Sequence, residues 1–154
     1  MDIQQKPNVR ILNFLTTSVG YKSVKEDSAP VFATWNSVAD PYRGCGSHPE
    51  VVERLWDHIG RVFPLDCRGL VYGNPSLIHG KTGIIFAVGF GTCYILRLPG
   101  SIGSQAIDLG SQTRMKFSTG LQLDIRLILG DEWVFGDFQQ NELVWCKEAY
   151  EAYK

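Results

Sequence analysis

Apolar positions fall into three registers along the chain. Val9, Ile11, Leu12, Phe14 and Leu15 make a short apolar stretch, whereas Thr16 to Pro30 is rich in Ser, Lys, Asp and Gly and holds no sustained period. Phe32 to Gly46 mixes the anchoring aromatics Trp35 and Tyr42 with the turn formers Pro41, Gly44 and Gly46, the composition of an ordered loop or of an arm that packs on a partner. A helix is then predicted from Ser47 to Arg61. Ser47 and Glu50 form an S-x-x-E capping box, Pro49 sits in the first turn, and Val51, Val52, Leu55, Trp56 and Ile59 line one face before Gly60 and Pro64 end it.

From Arg68 the period shortens to that of strands, over Arg68 to Gly73, Ser76 to His79, Gly83 to Gly89 and Thr92 to Leu98. Asn74-Pro75, Gly80 to Thr82 and Phe90-Gly91 separate them, and links this short favour an antiparallel meander over crossover units. In the last of these strands Tyr94, Leu96 and Leu98 point one way and Ile95 and Arg97 the other, so one face is expected in the core and one nearer solvent. Further strands are predicted at Arg114 to Phe117, Leu121 to Leu129 and Glu132 to Phe135. A final helix runs from about Gln139 to Tyr153, with Leu143, Cys146, Tyr150 and Tyr153 at helical spacing. The expected fold is therefore α+β. An antiparallel sheet of about five to seven strands is covered by helices at 47–61 and 139–153, in one domain spanning 1–154 with 1–46 packed on it as an arm.

Composition agrees with a folded domain and narrows its partners. At 154 residues, 44% hydrophobic and 20% charged, the chain needs neither disulfide nor metal to support a core. Net charge is −1, and residues 61–100 carry Arg61, Arg68, Lys81 and Arg97 against Asp66 alone, a local +3 that leaves −4 elsewhere. Nothing in that balance calls for nucleic acid or an anionic membrane as partner. No apolar run reaches signal-peptide or bilayer-spanning length, and Cys45, Cys67, Cys93 and Cys146 are spread singly, as in a protein with reduced thiols in the cytoplasm.

Motifs that carry chemistry are weak. Gly80-Lys81-Thr82 echoes a phosphate-binding loop, but Pro75 stands where the motif's first glycine belongs and a strand follows instead of a helix; a hairpin turn explains it. Gly89-Phe90-Gly91 lacks the third glycine of a dinucleotide fingerprint, where Tyr94 stands. Cys45 and His48 have a C-x-x-H spacing without a second ligand pair, so neither a metal nor any other cofactor is expected. A cysteine nucleophile, Cys45 or Cys67, with His48 or His79 as base is the enzymatic alternative, since such partners meet only in the fold. His58, beside the apolar stripe of the first helix, reads as structural.

The order of a helix, Gly69-Leu70-Val71-Tyr72-Gly73, Gly80-Lys81 leading into Ile84 to Val88, Tyr94 to Leu98, Trp133-Val134 and a terminal helix with Ala149-Tyr150 resembles the N-terminal domain of the TfoX competence-regulator family and related YjbR-like small domains. The resemblance covers about residues 47–154, and the chain departs from it by its N-terminal extension and by Asn74-Pro75 inside the meander. It implies a small α+β domain without an established reaction, linked in some relatives to gene regulation and able to dimerise. No functional residue is carried over from it.

The expected function is a non-enzymatic ligand-binding or regulatory protein-interaction module, its partner a second copy or another protein; a small cysteine-dependent hydrolase or transferase is the alternative and a nucleic-acid-associated regulator a further one. Tyr72, Asn74, His79, Arg97 and Trp133 are the expected lining of its site, because they place polar or aromatic groups near strand ends. The aromatics of the last strand and helix, Trp133, Phe135, Phe138, Trp145, Tyr150 and Tyr153, are expected to be mostly core, with any excess forming a contact surface.

Overall fold

Two consecutive residues with positive φ, Tyr72 at 48° and Gly73 at 79°, decide where the sheet turns. They form the two-residue loop that right-handed strand twist favours between antiparallel strands, and the Asn74 side-chain amide donates to the Val71 and Tyr72 carbonyls at 3.2 and 3.4 Å. In the computed structural model, which describes residues 2–16, 32–35, 48–116, 120–138 and 141–153, strand β2 (Arg68–Val71) therefore pairs directly with β3 (Asn74–Ile78). The break expected at Asn74-Pro75 lies instead inside β3. Pro75 is tolerated because the ladder from β3 to the next strand begins only at Ser76, so no hydrogen bond is lost where its N–H is missing.

The chain continues antiparallel through β4 (Ile85–Phe90) and β5 (Cys93–Arg97), and β8 (Trp133–Gly136) adds to the far side of β5. With β1 (Phe32–Thr34) on β2, the result is a six-stranded antiparallel sheet of order β1-β2-β3-β4-β5-β8. A bulge between Leu77 and Ile78 gives β4 one extra residue, which turns Phe86 and Ala87 to the same face. The α+β class and the meander were expected; β1 was not, because the segment around it reads as loop.

The helices cover both faces of this sheet, contrary to the expectation of one face nearer solvent. On one side α2 (Pro49–Glu53) continues without a break as a π-helical stretch, Arg54–Ile59, and a 3₁₀ turn, Gly60–Val62. It packs with α3 (Ser101–Asp108) and α5 (Glu142–Ala152) over a core of Leu55, Trp56, Phe86, Leu96, Val134 and Trp145. On the other side α1 (Val9–Thr16) and α4 (Ile125–Leu129) seal Val71, Ile78, Ile85, Val88 and Ile95, each 0% exposed, under Ile11, Phe14 and Leu15. Strands whose two faces are both apolar need two covers, and the apolar run of β4 is that signal.

The predicted strand at 121–129 is likewise corrected. Only β7 (Gln122–Asp124) is extended, paired with β6 (Arg114–Lys116) in a separate two-stranded sheet, and α4 follows at once. Asp124 caps α4 by accepting from the Arg126 N–H at 3.0 Å, and Gly130 at φ 120° ends it.

Close approach of α2 to the sheet needs Gly89. A Cβ there would lie 2.9 Å from both Pro75 Cγ and Val51 Cγ1, so only glycine lets this helix settle on β4. Ser47 of the expected capping box lies outside the described residues; the cap that is seen is His48, whose Nδ1 accepts from the Glu50 N–H at 3.1 Å. Gln139 and Gln140, at the start of the expected last helix, also lie outside them, and α5 buries Trp145, Cys146 and Ala149, while Tyr150 and Tyr153 are half-buried. No helix among the described residues is long and apolar enough to cross a membrane.

Candidate functional site

The five residues expected to line one site are separated by the strand directions. Tyr72 and Asn74 lie at the β2–β3 turn, whereas His79, Arg97 and Trp133 lie at the opposite end of the sheet, beyond Ile78 and at the paired ends of β5 and β8. Four to five residues of extended chain separate the two groups, about 13–17 Å. Asn74 is buried and occupied by the turn it locks, and Tyr72 packs against the second core.

Arg97 and Trp133 do meet, but as a clamp. Arg97 Nε donates to Glu132 Oε2 at 2.9 Å, its Nη1 donates to the Pro7 carbonyl at 2.9 Å, and its guanidinium lies 5.7 Å from the Trp133 ring centroid and 5.3 Å from that of Tyr153. The Tyr153 hydroxyl donates to the same Glu132 oxygen at 2.9 Å. Arg97 thus ties the N-terminal segment, β8 and the end of α5 together. A 310 Å³ recess beside it, lined by Lys6, Arg10, Gly130 and Asp131 among others, is left with its central arginine already engaged.

Of the candidate nucleophiles, Cys45 lies outside the described residues and His48 is the exposed cap of α2. Cys67 and His79 come together around one ring. The His79 imidazole stacks on Tyr150 at 4.2 Å between centroids and 21° between planes, with its Nδ1 accepting from the Lys81 N–H at 3.2 Å. Burial raises the Cys67 thiol above its ordinary value, with Asp66 adding to the rise, and the Gly80 backbone and the Tyr150 hydroxyl oppose it. Both Cys67 and His79 are 0% exposed. Burial also pushes Cys93 up to about 12 and raises Cys146. These three thiols are therefore protonated at neutral pH, the opposite of an activated nucleophile.

The cleft with the most concentrated chemistry lies elsewhere, where the π-helical turn faces the start of α5. It measures 360 Å³ and is lined by Arg54, His58, Ile59, Arg61, Phe138, Glu142 and Leu143. Arg54, His58 and Arg61 stand at i, i+4 and i+7, on the side of the helix away from Val52, Leu55 and Trp56. Trp56 holds this turn rigid: wholly buried, it donates its indole N–H to the Ser76 carbonyl at 3.1 Å. Ile59, Phe138 and Leu143 supply apolar wall, and Glu142, 3% exposed, places a carboxylate in the same cleft. The formal balance is two arginines against one glutamate, beside a histidine. Short π-helical segments are uncommon and gather at functional sites, which sets this stretch apart from an ordinary surface helix.

The i, i+4, i+7 spacing of Arg54, His58 and Arg61 was the signal available in the sequence. His58 reads there as structural, and neither Phe138 nor Glu142 could be assigned to this face, because both lie more than seventy residues away in the chain. Comparisons with family models, with curated proteins and with solved structures find no match for this chain.

Proposed function

We propose that this protein is a non-enzymatic binding module whose ligand, a small organic anion with an apolar body, sits in the cleft between the π-helical turn and the start of α5. The observation that carries this reading is the convergence of Arg54, His58 and Arg61 over the apolar wall of Ile59, Phe138 and Leu143 in a 360 Å³ cleft. A cavity of that volume falls within the range of small-molecule sites, where apolar contact gives affinity and a few charges fix orientation. The excess of one positive charge matches a monoanionic carboxylate, which either guanidinium can hold through two parallel hydrogen bonds.

A regulatory use of such binding accords with the resemblance to TfoX-type domains, and no covalent step is assigned to the buried thiols. The test is ligand-observed and protein-observed NMR with phenylacetate and 4-methylpentanoate against the neutral phenylacetamide. The acids should shift resonances of Arg54, His58 and Leu143 saturably, with at least tenfold weaker binding in Arg54→Gln and Arg61→Gln. Equal shifts from the amide, or none at these residues, would sink the reading.

A further inference from the structure

The β6–β7 hairpin and the short helix that follows it bring two arginines to one recess. Arg114 begins β6 and Arg126 is the second residue of α4, twelve positions later, and the pairing of Met115 with Leu123 folds the chain back so that both reach the same place. The recess measures 490 Å³ and is lined by Ile107, Ser111, Gln112, Thr113, Arg114 and Arg126. Among the described lining residues there is no carboxylate and only one apolar side chain.

Its walls are fixed from behind. Gln112 exchanges backbone hydrogen bonds with Phe135 at 2.8 and 2.9 Å, the Ile125 N–H donates to the Thr113 carbonyl at 2.8 Å, and the buried Ser111 hydroxyl is joined to that of Tyr94 at 2.7 Å. Arg126 brings an unmet demand to this frame. Its Nε is buried and has no hydrogen-bond partner among the described residues, and neither arginine forms an ion pair with a described carboxylate. Asp124, opposite Arg114 in the hairpin, directs its carboxylate to the Arg126 backbone N–H instead.

A buried guanidinium N–H without an acceptor costs free energy that an oxyanion in the recess would recover. We infer that this recess binds the phosphate group of a small phosphorylated ligand. Two planar guanidinium forks, with the Thr113 hydroxyl and the Gln112 amide in the same lining, match the several acceptor oxygens of a phosphate dianion. Two arginines are too few for a nucleic-acid backbone site on a chain of net charge −1. The site shares no residue with the Arg54–Arg61 cleft, so either can fail without the other.

The test is calorimetric titration of the full chain with glycerol 3-phosphate, inorganic phosphate and a phosphoserine peptide, alongside wild-type ¹⁵N NMR of the arginine Nε–H groups. Glycerol 3-phosphate should bind saturably and move the Arg126 Nε–H resonance, with affinity at least tenfold lower in Arg126→Gln and in Arg114→Gln and unchanged in Arg54→Gln. Inorganic phosphate moving the same resonance supports the same site with the phosphate group as its determinant. If Arg126→Gln fails to fold, Arg114→Gln and the wild-type resonance carry the decision. A still Arg126 Nε–H resonance, equal affinity in both arginine variants, or binding of the phosphopeptide alone would overturn the inference.

Discussion

Asn8 offers the sharpest test of how the N-terminal segment is held. It is wholly buried, donates from Nδ2 to the Ile3 carbonyl at 2.7 Å and to the Gly83 carbonyl at 2.8 Å, and accepts from the Ile85 N–H at 3.0 Å through Oδ1. One side chain thus joins the start of α1 to the β3–β4 connection. Asn8→Ala removes three hydrogen bonds and strands the backbone groups that made them, at about 1 to 1.5 kcal/mol each, so the loss should total about 3–5 kcal/mol. For a chain of this length that lowers Tm by roughly 10 °C. Asn8→Asp keeps the acceptor for Ile85 but sets a carboxylate against two carbonyl oxygens, so at pH 7 it should be less stable than Asn8→Ala. The introduced acid's pKa is raised in the folded state, and protonation restores one donor. Its stability should consequently recover as pH falls below about 5, opposite to the usual loss of stability in acid. Urea unfolding followed by tryptophan fluorescence measures all three proteins. A loss under 1 kcal/mol in Asn8→Ala, or Asn8→Asp matching wild type at pH 7, would refute the account of this junction.

Three further outcomes follow from the packing. Gly89→Ala should cost about 1–3 kcal/mol in urea unfolding, because its Cβ would press on Pro75 and Val51 at 2.9 Å; an unchanged midpoint would show that α2 has room to shift. Burial chiefly raises Cys93 from 9.0 to about 12 and Tyr94 from 10.0 to about 12, so the stability these neutral groups confer is complete below pH 9 and lost as pH climbs toward 12. Cys93→Ala should flatten that alkaline decline by about 3 kcal/mol at pH 11, and a decline identical to wild type would remove Cys93 as its cause. Iodoacetamide at pH 7.5, read by peptide mapping, should label Cys67 and Cys146 only after unfolding, since both are 0% exposed; rapid native labelling of Cys67 would revive the nucleophile reading.

The sequence made the strands easy to see wherever turn residues bracketed β-branched and aromatic runs, which is why β2 to β5 and β8 fall within a few residues of expectation. What defeated it was competition between local signals. Residues 125–129, Ile-Arg-Leu-Ile-Leu, have the composition of a strand, yet Asp124 and Gly130 provide a cap and a stop, and Ile125 and Leu129 at i, i+4 share one buried side. The α3 segment, with Gly103 and two serines, carries little intrinsic helix preference, and packing of Ile102, Ala106 and Ile107 against the first core sustains it. At the sites the barrier was distance in the chain. Arg114 and Arg126 meet through a hairpin whose register no single segment announces, and Arg97 looked available because its partners at Pro7, Glu132 and Tyr153 lie far apart in sequence.

Where these groups sit bears on the alternative of a nucleophile at Cys67 with His79 as base. Helices close both faces of the sheet, so a ligand cannot reach the described side chains with nucleophilic or basic potential in its interior, Cys67, His79 and Cys146, without unfolding a layer. The cationic groups behave differently. Arg54, His58 and Arg61 stay exposed along a helix anchored by Trp56, and Arg126 keeps a buried donor free at the rim where α3, β6 and α4 meet. Arg68 Nη1 meets Asp57 at 3.2 Å and Arg97 meets Glu132, whereas neither Arg114 nor Arg126 meets a carboxylate among the described residues; Arg68 Nε, like Arg126 Nε, is buried without a partner among them. The buried Arg126 Nε, without a partner among the described residues, costs stability that an anionic ligand of the kind inferred above would offset on binding.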